Sequence, residues 1–474
     1  ELFLKKKEIV SILLKKKILV NKELLEKLNQ PAVVEEWHKS LTEKGEIPTL
    51  SSSANEPSVK IVWEYNEKPK KRTVQDFIDY FNARYRAIEK MLRQRQELQN
   101  LTSMSRLKFK RDREATSVIG IILDKQTTKN ENIILTLEDT TGTIKVLINK
   151  TKPEIYSIGQ DLVFDEIIGV TGTPADGIIF ANSIIHPDVP HSESKKTPDE
   201  AYAAVLSCIH AGSANFEHEK FANFIKWTNG QFGDEKQKEI ASKTKYIFIC
   251  GDVVDGVGIY PQQEKELSIT DIREQYKECA RLLSQLSKDK TLIICPGNHD
   301  ASRISEPQPK LSKDYAKALW ELPNAVLVCN PCVLNIHSTK DFPGINVLMY
   351  HGYSFDDYGE MVPSIKNSGK HLSDRAPLIM KFLLQRRHLA PQHTSTLYIP
   401  DAHQDPLVIE QIPDLFVAGH IHKAGTTQYR GISIISASCF QRKTEFQERV
   451  GHEPDPGVVP VINLQTRQIT LMEF

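Results

Sequence analysis

No stretch of this sequence is long and apolar enough to cross a membrane. The first twenty residues are no signal peptide either, because Lys5-Lys6-Lys7 and Lys15-Lys16-Lys17 interrupt them. Net charge is also missing: 61 Lys and Arg offset 61 Asp and Glu, so any contact with nucleic acid has to come from local basic patches. A paired-cysteine framework is absent. The seven cysteines are odd in number and several lie in apolar runs, which points to a reducing, cytoplasmic compartment. Cys329-Asn330-Pro331-Cys332 is a lone C-x-x-C and reads as a strand and turn carrying two ordinary thiols. The sequence opens on Glu1 and lacks an initiator methionine, so an N-terminal piece is expected to be missing from it. What is present is ordinary globular composition, 40% hydrophobic and 26% charged over 474 residues, enough for a sizeable core and for about two to four domains.

Taken in order, residues 1–39 read as a helical N-terminal module, with Ile9, Ile12, Leu13 and Leu19 set against lysines. Residues 40–58, with Pro48, Ser51-Ser52-Ser53 and Pro57, read as a linker. Residues 59–113 form a basic helical region, with 15 Lys or Arg against 7 Asp or Glu from Lys60 to Arg113. The spacing within it predicts a helix over 73–100, opened by a Thr73/Asp76 capping box. A stripe of Val74, Phe77, Phe81, Tyr85, Ile88 and Leu92 is expected to pack on the chain itself.

Residues 114–185 hold strand patterns at 117–123, 133–138, 143–148, 162–171 and 178–184, with a hairpin around Thr140-Thr141-Gly142. These predict a small closed barrel of the oligonucleotide-binding (OB) type. Its strands are poor in aromatics for base stacking, which favours a structural or protein-binding barrel. A Pro- and Ser-rich second linker spans 186–200, and from 201 to 474 strands alternate with helices such as 216–228 and 272–286. That alternation predicts an α/β domain.

This last part carries five blocks of one kind, each a short apolar run with polar residues after it. Ser207-Cys208-Ile209-His210 follows Ala203 to Leu206, and Gly251-Asp252-Val253-Val254-Asp255-Gly256 follows Tyr246 to Cys250. Gly297-Asn298-His299-Asp300 comes just after Leu292 to Cys295, His351-Gly352 after Val347 to Tyr350, and Gly419-His420-Ile421-His422 after Leu415 to Ala418. Buried strands delivering side chains to one sheet edge have this pattern, and α/β folds place their sites there. One buried histidine alone is more often a satisfied core residue than a ligand. Five blocks together point to divalent cations, Mn²⁺ first, with Mg²⁺, Zn²⁺ or iron as alternatives. A carboxylate such as Asp252 can bridge two ions that clamp a phosphate and activate a water.

In this order the blocks resemble the calcineurin-like metallophosphoesterases, whose pattern is D-x-H, G-D-x-x-D, G-N-H-D/E, a lone His and G-H-x-H. Gly251 to Pro261, Cys295 to Asp300, Gly369 to Pro391, Lys443 to Gln447 and Lys70 to Phe77 also resemble the small-subunit family of archaeal DNA polymerase D. That family is related to the B subunits of eukaryotic replicative polymerases. The resemblance covers roughly 60–474. It implies an OB-type barrel followed by a calcineurin-like α/β sandwich over 201–474, and a 3′-to-5′ exonuclease that removes misincorporated nucleotides. It implies one metal held by position 208, His210, Asp252 and His422, and a second held by Asp252, Asn298, His351 and His420. His299 would contact the scissile phosphate and act as general acid, so His299, Asp252 and Asn298 are the expected catalytic residues. The implied partners are a large polymerase subunit and DNA, as a single strand or primer 3′ end, with no membrane.

One position departs from the pattern: Cys208 stands where the family has Asp. A thiol must ionise before it ligates, and thiolate suits softer ions than Mn²⁺. The expected consequence is an impaired first metal site, with ligation of a different metal, or a change peculiar to this sequence, as the other readings. The competing function is a non-catalytic scaffold for the large subunit, as in eukaryotic accessory subunits that have lost their ligands. A phosphatase of the same fold is a third, but it would need neither barrel nor basic helix.

Overall fold

The computed structural model describes residues 5–9, 34–35, 37–39, 58–66, 68, 70–107, 114–450 and 453–474. It divides into two units, Glu1–Val59 with Ile336–Gly344, and Lys60–Asn335 with Ile345–Phe474. In the first, Ile9, Val34 and Trp37 are buried and Lys5 pairs with Glu35 at 2.8 Å. Leu19 and most of the expected 40–58 linker lie outside the described residues.

Residues at the boundary of that linker form strand β1 (Ser58–Glu64), most of which belongs to the second unit and whose Val59, Ile61 and Val62 favour extended backbone. Helix α1 (Val74–Leu92) opens on the expected capping box, with Thr73 N donating to Asp76 Oδ2 at 2.7 Å. It ends eight residues before the expected limit, because the chain turns to lay Leu98 against Gly169 of the barrel. The apolar stripe packs most tightly in its second half. Tyr85, Ile88 and Leu92 are buried; Phe77 and Phe81 set their rings 6.1 and 6.4 Å from that of Tyr398, while Val74 is 78% exposed.

The barrel consists of β2 (Thr116–Thr127), β3 (Ile133–Asp139), β4 (Gly142–Ile148), β5 (Ile167–Ala175) and β6 (Ile178–Ile185), closed in the order β2-β3-β4-β6-β5. All pairs are antiparallel except β4 with β6. Helix α2 (Pro153–Asp161) sits between β4 and β5, and this topology is consistent with an OB-type barrel. The strand expected from 162 begins only at Ile167, after that helix. Val118, Leu135, Leu137, Val146, Ile168 and Val170 fill the interior.

The expected linker at 186–200 is instead an extended strap. Val189 is fully buried and Ser194 Oγ donates to Gly431 O at 2.8 Å, so its Pro and Ser content reflects a backbone satisfied by a neighbour and not by its own ladder.

Two six-stranded sheets make up the rest. One is ordered β10 (Ala325–Leu327), β9 (Thr291–Cys295), β8 (Thr244–Cys250), β7 (Tyr202–Leu206), β16 (Val458–Asn463) and β17 (Ile469–Glu473), and the other β1, β11 (Cys332–Ser338), β12 (Ile345–Tyr350), β13 (Leu415–Ala418), β15 (Ile432–Ser436) and β14 (Gly425–Tyr429). The strands that matter for the site are β7 (Tyr202–Leu206), β8 (Thr244–Cys250), β9 (Thr291–Cys295), β12 (Ile345–Tyr350) and β13 (Leu415–Ala418). β7, β8 and β9 are parallel neighbours in register, Leu206 beside Ile249 and Cys250 beside Cys295. β12 and β13 are likewise parallel, with Tyr350 beside Ala418. Their tips are therefore level, and residues just past each tip share an edge. The runs are apolar throughout because helices cover them: α3 (His218–Thr228) and α4 (Ile272–Leu283) on the first sheet, α5 (Phe355–Met361) and α6 (Ala376–Arg386) on the second. The molecule is thus a closed five-stranded barrel joined to a mixed α/β body.

Two buried ionic contacts join these parts. Glu166 of the barrel and Arg386 of α6, both almost fully buried, pair at 2.9 Å. Arg84 of α1 donates from Nε to Asp405 Oδ2 at 2.6 Å, and His388 Nε2 lies 2.8 Å from the same oxygen. All seven cysteines, Cys329 and Cys332 included, are free and buried.

Candidate metal centre

The tips of β7, β8, β9, β12 and β13 bring all eight expected site residues into one region. The backbone there is forced into the left-handed region at Cys208 (φ +51°), His210 (+53°), Asp252 (+51°), His420 (+71°) and His422 (+59°). Non-glycine residues rarely adopt this conformation, and such strain collects at functional sites. Glycine is required where the chains touch. A Cβ on Gly297 would lie 2.6 Å from Asp252 N and 2.8 Å from His351 Cε1.

Asp252 sits at the centre and is 1% exposed. Its Oδ1 accepts from His299 N at 2.8 Å, and its Oδ2 lies 3.2 Å from His351 Nε2 and 4.0 Å from Cys208 Sγ. Burial opposes its charge, but His351, His299 and His210 outweigh that and hold the carboxyl well below the ordinary range. Asp252 is therefore an anion at neutral pH.

His351 donates from Nδ1 to Cys250 O at 2.7 Å, which leaves the Nε2 lone pair facing inwards. There it meets only oxygens: Asp252 Oδ2, and Asn298 Oδ1 at 2.8 Å. Three lone-pair donors converge, and a cation among them satisfies all three. A proton can serve: burial works against it, yet Asp252 raises the His351 pKa above its usual value. A divalent ion fits the same carboxylate, amide and imidazole set.

Beside it lies a second group. His210 donates from Nδ1 to the buried Asp255 carboxylate at 2.9 Å, and its Nε2 is 3.1 Å from His422 Nε2. Gln447 Nε2 holds His422 Nδ1 at 2.9 Å. Burial, then the neighbouring His210, pushes the His422 pKa well down, so this ring stays neutral and able to ligate. Ligand atoms of Cys208, His210 and His422 lie within 4.8 Å of one another, as do those of Cys208, Asp252 and His351. Cys208 thus belongs to both groups. Burial and the Asp252 charge push its thiol well above the usual value, so it is protonated near neutral pH and a poor ligand.

Two expected residues stand slightly apart. His299 donates from Nδ1 to Asp255 O at 2.7 Å and packs edge-on to His210, with ring centroids 4.6 Å apart; burial lowers its pKa. His420 lines the same cavity with its ring centroid 5.1 Å from that of His351, while its Nε2 pairs with Asp356 Oδ2 at 3.1 Å. The cavity itself measures about 290 Å³ and also exposes Tyr260, Tyr353, Gln441 and Gln447.

The orienting groups are less visible in the sequence. Asp255 lies inside the acidic loop 251–256 and could have been found there. Gln447 reaches the site from the Lys443 to Gln447 stretch that carried part of the resemblance, whereas Asn330, whose Oδ1 accepts from His351 N at 2.8 Å, comes from a distant segment with no local signal.

The family of the DNA polymerase alpha/epsilon B subunit matches residues 203–426, which span β7 to β13. The chain is 38% identical over 401 residues to the DNA polymerase II small subunit of Methanothermobacter thermautotrophicus, covering 85% of this chain and 80% of that protein. It is 39% identical over 396 residues to that of Methanocaldococcus jannaschii and 36% over 407 residues to that of Pyrococcus furiosus, covering 64% of each. On identity of this extent over most of its length, the chain belongs to the archaeal DNA polymerase II small-subunit family.

Proposed function

We propose that this chain is the metal-dependent 3′-to-5′ exonuclease subunit of a replicative DNA polymerase, built on a calcineurin-like phosphoesterase domain over 201–474. The observation that carries the reading is the convergence of lone-pair donors around the ionised Asp252. Cys208, His210, Asp252 and His422 would hold one ion, and Asp252, Asn298, His351 and His420 the other. Two such ions, Mn²⁺ first, supply charge neutralisation at a phosphodiester and a water acidic enough to attack it.

The protein's own part is positional. Asp252 would be shared between the two ions, and the backbone N–H of His299 fixes its carboxylate. Asp255 and Cys250 O orient His210 and His351, so each presents Nε2 to the centre. His299, anchored through Nδ1, offers Nε2 to the substrate. Burial lowers its pKa, so it would take the proton that the attacking water releases and pass it to the leaving 3′ oxygen as the P–O bond breaks.

Cys208 favours the second reading, a scaffold that holds the large polymerase subunit, since a neutral thiol weakens the first ion's site. The partners in either case are that large subunit and a DNA 3′ end. The test uses the purified chain with a 5′-labelled single strand. Mn²⁺-dependent shortening from the 3′ end that disappears with EDTA and in Asp252→Asn supports the nuclease. Equal traces with and without Mn²⁺, while the large subunit still co-purifies, would leave the scaffold.

A further inference from the structure

We infer that the rim of the metal cavity is a binding site for one unpaired nucleobase, so that the site selects frayed or mismatched 3′ ends by their base as well as by their phosphate. This rests on the exonuclease reading above and names the part of the substrate that the rim recognises.

The floor of the cavity is polar, made of histidines, Asp252 and Asn298, which suffices for a phosphodiester. Its mouth is different. Ile259 and Ile304 line it and are 37% and 43% exposed, and Val257, 49% exposed, adjoins them on the same loop as Ile259. Exposed aliphatic side chains are costly beside a charged site unless an apolar ligand face covers them. Two tyrosines complete the rim. Tyr260 stands 6.4 Å from the His299 ring, and Tyr353 stands 5.6 Å from the His420 ring. Tyr260 is fixed by a 2.6 Å hydrogen bond from its hydroxyl to Glu266 Oε2, so its ring is pre-set as a stacking surface. The loop bearing Val257, Ile259 and Tyr260 is shaped by Gly256 and Gly258, at φ +78° and +76°.

An occupant therefore needs an anionic end for the floor and a flat apolar face for the rim. A nucleoside phosphate has both. A cavity of about 290 Å³ lies at the lower end of ligand-pocket sizes, roughly 300–1,000 Å³, which suits one nucleotide and not a stacked base pair. A base inside a duplex keeps its faces covered, so only an unpaired terminal base can enter.

The test is binding by fluorescence anisotropy in Mn²⁺, using a short single strand protected by a phosphorothioate terminal linkage. Its 3′-terminal residue is either intact or abasic. Stacking contributes about fivefold to a hundredfold per base, so the native chain is expected to bind the intact end about tenfold more tightly. Tyr260→Ser/Tyr353→Ser is expected to lose that preference, and Tyr260→Phe/Tyr353→Phe to keep it. Equal affinity of the native chain for both ends, or full preference in the serine double variant, overturns the inference. Preference without hydrolysis of an unprotected strand would instead remove the exonuclease reading and leave the base site standing.

Discussion

Replacing Cys208 by Asp tests the centre most directly, because the outcome changes sign with metal. The Cys208 thiol is fully buried, protonated and 4.0 Å from Asp252 Oδ2. Cys208→Asp places a second carboxylate at about that separation. Two like charges 4.0 Å apart repel by about 4 kcal/mol at an effective dielectric constant of about 20. In EDTA the variant is therefore expected to melt several degrees below the parent, by a loss of about 2–4 kcal/mol once one carboxyl takes up a proton. In Mn²⁺ the repulsion becomes shared ligation. The added carboxylate is expected to tighten Mn²⁺ binding by at least about 10- to 100-fold, the order seen for changes around metal ligands, and to raise Mn²⁺-dependent strand degradation. Thermal melting with EDTA and across a Mn²⁺ titration reads the stability terms, and a 5′-labelled strand reads the activity. A variant that melts like the parent in both conditions would refute the reasoning, since position 208 could then be neither near Asp252 in effect nor part of an ion site.

Two further predictions concern the same neighbourhood. Gly297→Ala drives a Cβ to within 2.6 Å of Asp252 N and 2.8 Å of His351 Cε1; it is expected to cost about 1–3 kcal/mol in urea unfolding and to abolish Mn²⁺-dependent hydrolysis, and retained activity would show that the loop yields freely. Glu306 is buried and pushed from 4.5 to about 7, so its contribution is intact in acid and lost as pH rises through that window, about 3 kcal/mol in all. Glu306→Gln is expected to match the parent at pH 4 and exceed it by about that amount at pH 8; parallel pH profiles would sink the assignment.

The parts of this protein that could be read from its sequence are those whose physics is local. Apolar runs ending in Asp, Asn or His at 207–210, 251–256, 297–300, 351 and 419–422 marked strand tips because burial dictates the run and the edge dictates the polar residues after it. The barrel strands were legible to within a few residues for the same reason, apart from β5, where Pro153 marks the start of a helix that delays the strand. Long-range arrangements left no such trace. Nothing near Val74 says that it stays exposed, and nothing near Asn330 says that it meets His351. Composition misled at 186–200, where prolines and serines belong to a segment held down by a buried valine.

The Glu166–Arg386 pair has a mechanical corollary. With a buried charge on each side, removing either one leaves the other stranded in a medium of low polarizability, a cost of about 3–5 kcal/mol, and barrel and body belong to one compact unit. The barrel is therefore a handle and not a hinged arm. Whatever grips it steers the strand-tip edge with it, and any ligand of that edge has to travel there.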